Sequence, residues 1–196
     1  MAFFQRFTGA SAALLLIDHQ LGTMGWVQSI PLDEMKRNAQ MLAKTAKILT
    51  MPVVLTSSQE TNAQGPLMSE LESILPAEFA ARIKREGIVN AMDDENFAEA
   101  VKATGRKKIV LAGVTNDVCT VYPALTLVGM GFEVQVVADA GGSPSKMGDD
   151  IALRRMEQAG VILTSTNQVI AELAGSWSSP EGSRIVQEVV MAALQG

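Results

Sequence analysis

Residues 12–18 read AALLLID: six apolar side chains in a row, then a carboxylate. A run this short with no polar alternation reads as a β-strand covered on both faces, the environment of a central strand in a parallel sheet. Working outward, residues 31–51 repeat apolar side chains at helical spacing through Met35, Leu42, Ala46 and Leu49. Asp33 and Glu34 open that segment, Lys44 and Lys47 lie near its end, and Pro52 closes it, as the helix dipole favours. PVVLTSS is a second strand, QETNAQGP a loop, and LMSELESIL a brief helix. Residues 81–89, ARIKREGIV, are read as a third strand despite their charges.

Asp93 and Asp94 open a helix over ENFAEAVKATG that ends at Gly105, and KKIVLAG is a fourth strand. TNDVCTVYPALTLVGMG is read as one helix with Cys119 in its first turns, because Pro123 is tolerated only near a helix start. FEVQVVAD is a fifth strand, AGGSPSK a loop, GDDIALRRMEQAG a helix and VILTS a sixth strand, with two amphipathic segments after it. Strands that alternate with helices throughout predict an α/β fold, a doubly wound parallel six-stranded sheet with helices on both faces. The expected organisation is one domain over residues 1–196, with a helical extension over about 176–196.

If the strand order is 3-2-1-4-5-6, the winding reverses between strands one and four, and ligands bind beyond the strand ends there. Asp18 leaves strand one at that point and Cys119 follows strand four, so a carboxylate and a thiol are predicted to share one cleft. A helix start or a nearby cation lowers a thiol's pKa and makes it a nucleophile, although a free cysteine is more often a small buried hydrophobe. His19 follows Asp18 on an extended chain and points the other way, so it is assigned a structural role. Lys84 and Arg85 are adjacent on a strand, so only one can face the cleft, and pattern alone does not say which. Gly141 and Gly142 read as loop flexibility.

Composition narrows the function classes. Sixteen Lys plus Arg against twenty-one Asp plus Glu give a net charge of −5, which disfavours nucleic acid and anionic membrane as partners. The first eighteen residues, MAFFQRFTGASAALLLID, carry neither a secretory apolar core nor a membrane span, and no longer apolar run occurs. One cysteine and one histidine leave no internal disulfide and no usual zinc cluster, so no cofactor or metal is expected and the cytoplasm is the expected compartment. Charged residues are only 19% of the chain, against about 25% in typical domains, and the segment from Trp177 through IVQEVVMAAL is apolar. Burial of that face on another copy, in a homo-oligomer, is therefore expected.

Four segments in order, LLLIDHQ, REGIVNAM, IVLAGVTNDVCT and FEVQVVADA, resemble the isochorismatase-like cysteine hydrolases, over roughly residues 10–175. The resemblance implies the doubly wound fold, oligomers and an Asp, Lys and Cys triad. Asp18 and Cys119 match two of its members directly. For the third, the chain is most similar to a subgroup with Arg before a G-x-x-N-A segment, which implies Arg85, with Lys84 as the alternative. It further implies a cis Val114–Thr115 peptide and an oxyanion hole from the Thr115 and Cys119 N–H groups; Gln20, Ser58 and Asn90 are candidate substrate contacts. The zinc-binding Asp and His residues of the nicotinamidase branch have no counterpart. The implied activity is cleavage of a carbon–nitrogen bond in a small amide through a thioester. The competing readings are vinyl-ether hydrolysis that does not need the cysteine, and a non-hydrolytic redox-sensing thiol.

Overall fold

The computed structural model describes residues 5–194. Residues 1–4 of the N-terminal stretch and residues 195–196 of the expected C-terminal extension lie outside the described residues. The six strands are β1 (Ala12–Ile17), β2 (Val53–Ser58), β3 (Ile83–Arg85), β4 (Lys108–Gly113), β5 (Glu133–Val137) and β6 (Ile162–Thr164). Their spatial order is β3-β2-β1-β4-β5-β6, and every neighbouring pair is parallel. The reversal of winding thus falls between β1 and β4, as the sequence predicts.

All six residues of β1 are buried, and the strand period sorts them between two cores. Ala12, Leu14 and Leu16 join the helices Leu32–Ile48 and Thr166–Ala174 in one apolar cluster. Ala13, Leu15 and Ile17 join Glu95–Ala103, Val121–Gly129 and Lys146–Gln158 in the other. Each fully buried leucine here contributes about 1.5–3 kcal/mol through removal of apolar surface from water. Interior strands covered on both sides need continuous apolar runs, which is why AALLLI carries the fold. Ile185 and Val189 of the C-terminal helical segment extend the first cluster, and the helix Pro180–Ile185 lies against Leu32–Ile48.

Two elements differ from the sequence expectation. The third strand spans only Ile83–Arg85, because Gly87 at φ 101° turns the chain away. A side chain on Gly87 would also meet Gln59 Nε2 at 2.4 Å. The helix expected over 115–131 is divided: Asn116–Thr120 forms a wide π turn, closed by Thr120 N–H to Thr115 O at 3.0 Å, and the α-helix proper begins at Val121. Pro123 has no N–H to offer the Cys119 carbonyl four residues back, so α-helical bonding cannot begin earlier. No helix among the described residues is long and apolar enough to cross a membrane.

Candidate active site at the β1/β4 switch point

Three strand ends deliver the cleft. Asp18 follows β1 with φ 57°, a left-handed backbone conformation rarely adopted by residues other than glycine. The bend is pinned by Asp18 N–H to Thr56 O at 2.9 Å and Gln20 N–H to Asp18 O at 2.7 Å. Gln59, in the same cleft, also has a positive φ of 47°. Such conformations cost of order 1–3 kcal/mol each and persist where the surroundings over-determine them.

Arg85 closes β3 and lies two strands from β1, a gap of about 10 Å. Its side chain crosses β2 on the way: Nε donates to Thr56 Oγ1 at 3.1 Å and Nη1 to the Ile88 carbonyl at 2.5 Å. Nη2 then donates to both carboxylate oxygens of Asp18. Both partners are out of water, at 2% exposure each. Lys84 points the other way, with a side chain 60% exposed and its ammonium 3.7 Å from Glu60. Strand alternation therefore resolves the cation: Arg85 faces the cleft and Lys84 faces solvent.

Cys119 sits in the π turn, partly exposed, and shares the cleft with Asp18, whose charge reaches its thiol. Thr115 lines the cleft beside it, next to a Val114–Thr115 peptide that is cis. The thiol's pKa is pushed up from 9.0 to about 12, first by burial and then by the charge and hydrogen bond of Asp18, while the Thr115 N–H and Arg85 oppose the rise. This reverses the lowered pKa expected of a cysteine at a helix start. The regular helix begins only at Val121, and a wide turn beside a carboxylate gives little of that help. Burial raises the Asp18 pKa as well, against the pull of Arg85. Burial and the neighbouring charge thus keep the resting thiol neutral, beside an Asp18 whose own pKa is raised.

A strap over residues 138–149 holds the Cys119 turn. Asn116 N–H donates to Gly142 O at 2.8 Å, Asn116 Nδ2 to Ala138 O and Asp149 Oδ1 at 3.1 Å each, and Asp117 N–H to Ser143 Oγ at 3.2 Å. The two glycines read as loop flexibility are close-approach positions instead. A Cβ on Gly141 would lie 2.3 Å from Gly113 O, and one on Gly142 would lie 2.6 Å from Val27 Cγ1.

Of the expected substrate contacts, Ser58 lines the cleft. Gln20 also borders it, but its amide is spent within the protein: Nε2 donates to Ser58 O at 2.8 Å and Gly65 O at 2.5 Å, and Oε1 accepts from Ser58 N–H at 2.8 Å. Asn90 is not among the lining residues. It caps the short turn Ala91–Asp93 by accepting from Met92 N–H at 3.2 Å, and it donates to Asp93 and Thr126. After the bend at Gly87 the chain still lines the cleft at Ile88 and Val89, and it leaves the cleft before Asn90. His19 is fully buried, with Nε2 2.8 Å from the Ala140 carbonyl, and burial holds its pKa down near 4.

The cleft encloses about 310 Å³, small for a ligand site. Sequence reading passed over Trp26, Gln59, Gln64, Val118 and Asp117, which also line it. Asp117 alone carried a signal, two positions before Cys119 in TNDVCT. Among the described residues no group of three or more His, Cys, Asp and Glu side chains is placed to hold a metal ion.

A model of the isochorismatase domain matches residues 12–168. The chain belongs to the isochorismatase family. Within the family it is 40% identical over 174 residues to the Escherichia coli (strain K12) protein described as probable hydrolase YcaC, covering 89% of this chain and 83% of that one. The solved structure of YcaC from Pseudomonas aeruginosa, with hexane-2,5-diol and covalent acrylamide, superimposes with a TM-score of 0.92 at 36% identity, over 100% of this chain and 96% of that chain. The Escherichia coli YcaC structure, described as an octameric hydrolase of unknown specificity, gives the same TM-score, identity and coverage. The chain is thus a hydrolase of the isochorismatase family, with the six-stranded parallel sheet of those relatives.

Proposed function

We propose that the protein cleaves the carbon–nitrogen bond of a small amide through a thioester on Cys119. The observation that carries this reading is the meeting, in one cleft that Thr115 also lines, of Cys119 with the Arg85-paired carboxylate of Asp18. Nucleophile, base and oxyanion donor then share one wall of the cleft. As Cys119 Sγ bonds to the amide carbon, its proton passes to Asp18 and the carbonyl electron pair moves onto oxygen. The Thr115 and Cys119 N–H groups receive that oxyanion, a stabilisation usually worth a few kcal/mol. Collapse breaks the C–N bond, with Asp18 returning the proton to the departing nitrogen. Water then attacks the thioester as Asp18 takes its proton, and the acid leaves as the thiol is restored.

Proton transfer during attack, rather than a preformed thiolate, suits a thiol of pKa about 12 beside a base of raised pKa. The same electrostatics disfavour the redox-sensing reading, because oxidant sensors depend on thiolate at neutral pH. Arg85, the cation lining the cleft, is committed to Asp18, which leaves no free positive group there among the described residues for the carboxylates of an isochorismate-like substrate. A relative that holds a covalent acrylamide, an electrophile of small-amide size, supports this reading. Exposed Trp177, Met191 and Leu194, together with the octameric relative, support a homo-oligomer, and the single free cysteine suits a reducing compartment such as the cytoplasm.

The test is a panel of small amides assayed by ammonia release, with intact-mass detection of an acyl adduct on Cys119. Cys119→Ser is expected to fold and to lose turnover. Vinyl-ether hydrolysis that persists in Cys119→Ala, without amide cleavage in the wild type, would overturn the proposal.

A further inference from the structure

The cleft carries an imbalance that the proposed chemistry does not use. Two carboxylates line it, Asp18 and Asp117, against the one guanidinium of Arg85, which is already shared between both oxygens of Asp18, Thr56 and the Ile88 carbonyl. Asp117 is therefore the lining carboxylate with no side-chain cation beside it among the described residues. Its position is built: Oδ1 accepts from Thr115 Oγ1 at 2.5 Å, and its N–H donates to Ser143 Oγ at 3.2 Å. Gly148 backs it so closely that a Cβ there would lie 3.2 Å from Oδ2. No side-chain or backbone donor among the described residues is bonded to Oδ2. The carboxylate is thus held in place with one acceptor oxygen left over.

The opposite character lies at the mouth. Trp26, Ile88, Val89 and Val118 line the cleft and are 46%, 41%, 56% and 38% exposed. Large apolar side chains converging at this exposure around a cavity of about 310 Å³ mark a surface that gains by being covered.

We infer that this cleft selects uncharged amides with a short apolar tail and rejects those bearing a carboxylate, the Asp117 carboxylate accepting an amide N–H while Trp26, Ile88, Val89 and Val118 hold the tail. The inference rests on the amide reading above and adds the class of amide. An amide N–H is a donor that a fixed carboxylate satisfies, whereas an anionic substituent would meet two carboxylates with no free cation.

The experiment separates selectivity from turnover. Alkylation of Cys119 is followed by intact mass at pH 9 with iodoacetamide, N-butyl iodoacetamide and iodoacetate, each rate divided by that for free cysteine. The wild type should favour iodoacetamide over iodoacetate by about tenfold beyond free cysteine, and N-butyl iodoacetamide should react about threefold faster than iodoacetamide. Asp117→Asn keeps an oxygen for Thr115 Oγ1 and removes the charge, so it should reduce the anion discrimination at least threefold. Trp26→Ser, at an exposed position, should abolish the gain from the butyl tail and leave the anion discrimination in place. Hexanamide and succinamate are then compared for ammonia release.

Equal normalised rates for neutral and anionic reagents, unchanged discrimination in Asp117→Asn, or no labelling by any reagent would overturn the inference. Selective labelling without turnover would sink the hydrolytic reading and support the selectivity. Turnover of succinamate as fast as hexanamide would do the reverse.

Discussion

Removing the charge of Asp18 should make Cys119 more reactive and the enzyme less active. In the resting site the thiol pKa is about 12 rather than 9.0, so at any pH well below 9 its thiolate fraction is about a thousandfold smaller than that of an ordinary thiol, each pH unit being tenfold. Burial is the largest cause of that rise and survives an Asp18→Asn substitution; the charge and hydrogen bond of Asp18 come next and are lost with it. Arg85, no longer neutralised, then acts on the thiol as a free positive charge. Iodoacetamide alkylation of Asp18→Asn at pH 8 should accordingly be at least about tenfold faster than that of the wild type, with the full thousandfold as the ceiling. Ammonia release from any amide the wild type cleaves should fall by about 10²–10⁴-fold, the usual scale of general acid–base help. Because a buried arginine loses its counter-charge, about 3–5 kcal/mol of stability is at risk, and both rates are to be measured below the variant's melting transition. Slower alkylation in Asp18→Asn, or undiminished turnover, would refute the claim that Asp18 both suppresses the thiolate and accepts its proton.

Arg85→Met should cost about 3–5 kcal/mol in chemical denaturation and abolish turnover, since it strands the Asp18 carboxylate out of water and drives it toward its protonated form. Lys84→Met, at an exposed side chain, should stay within about 0.5 kcal/mol of the wild type. His19 is held near pKa 4 against 6.5 for a free imidazole. The unfolded chain therefore takes up a proton below pH 6.5 that the folded protein refuses until about pH 4. Stability should be full above pH 6.5 and decline by about 3 kcal/mol as pH falls to 4. Urea titrations of His19→Gln should lack that share of the slope, and an unchanged slope would refute it. Turnover is expected to survive a chelator, because Asp18 is occupied by Arg85 and no metal-holding group is assembled among the described residues; zinc-restored activity after chelation would count against the mechanism.

The alternation of strands with helices, the buried character of AALLLI and the placing of Asp18 and Cys119 at one switch point were legible in the chain, because they depend on local periodicity and on the handedness of crossovers. Helix boundaries were legible where a cap encodes them, as at Asp94, which accepts from Phe97 N–H at 3.0 Å. What escaped depended on contacts between residues distant in sequence. Arg85 and Lys84 have the same local pattern, and only the reach of Arg85 across β2 to Asp18 separates them. Asn90 looked like a ligand contact until the bend at Gly87 placed it on a turn, and Gly141 and Gly142 looked loose until Gly113 and Val27 were seen against them. The Cys119 pKa changed direction for the same reason. A helix start is a local feature that lowers it, whereas burial and the approach of Asp18, 101 residues earlier in the chain, raise it further. Periodicity and crossover handedness act through neighbours along the chain, so sequence alone determined the sheet and its switch point. Charge, burial and close approach act through space, so only the tertiary structure decided which side chains face the cleft and in what protonation state.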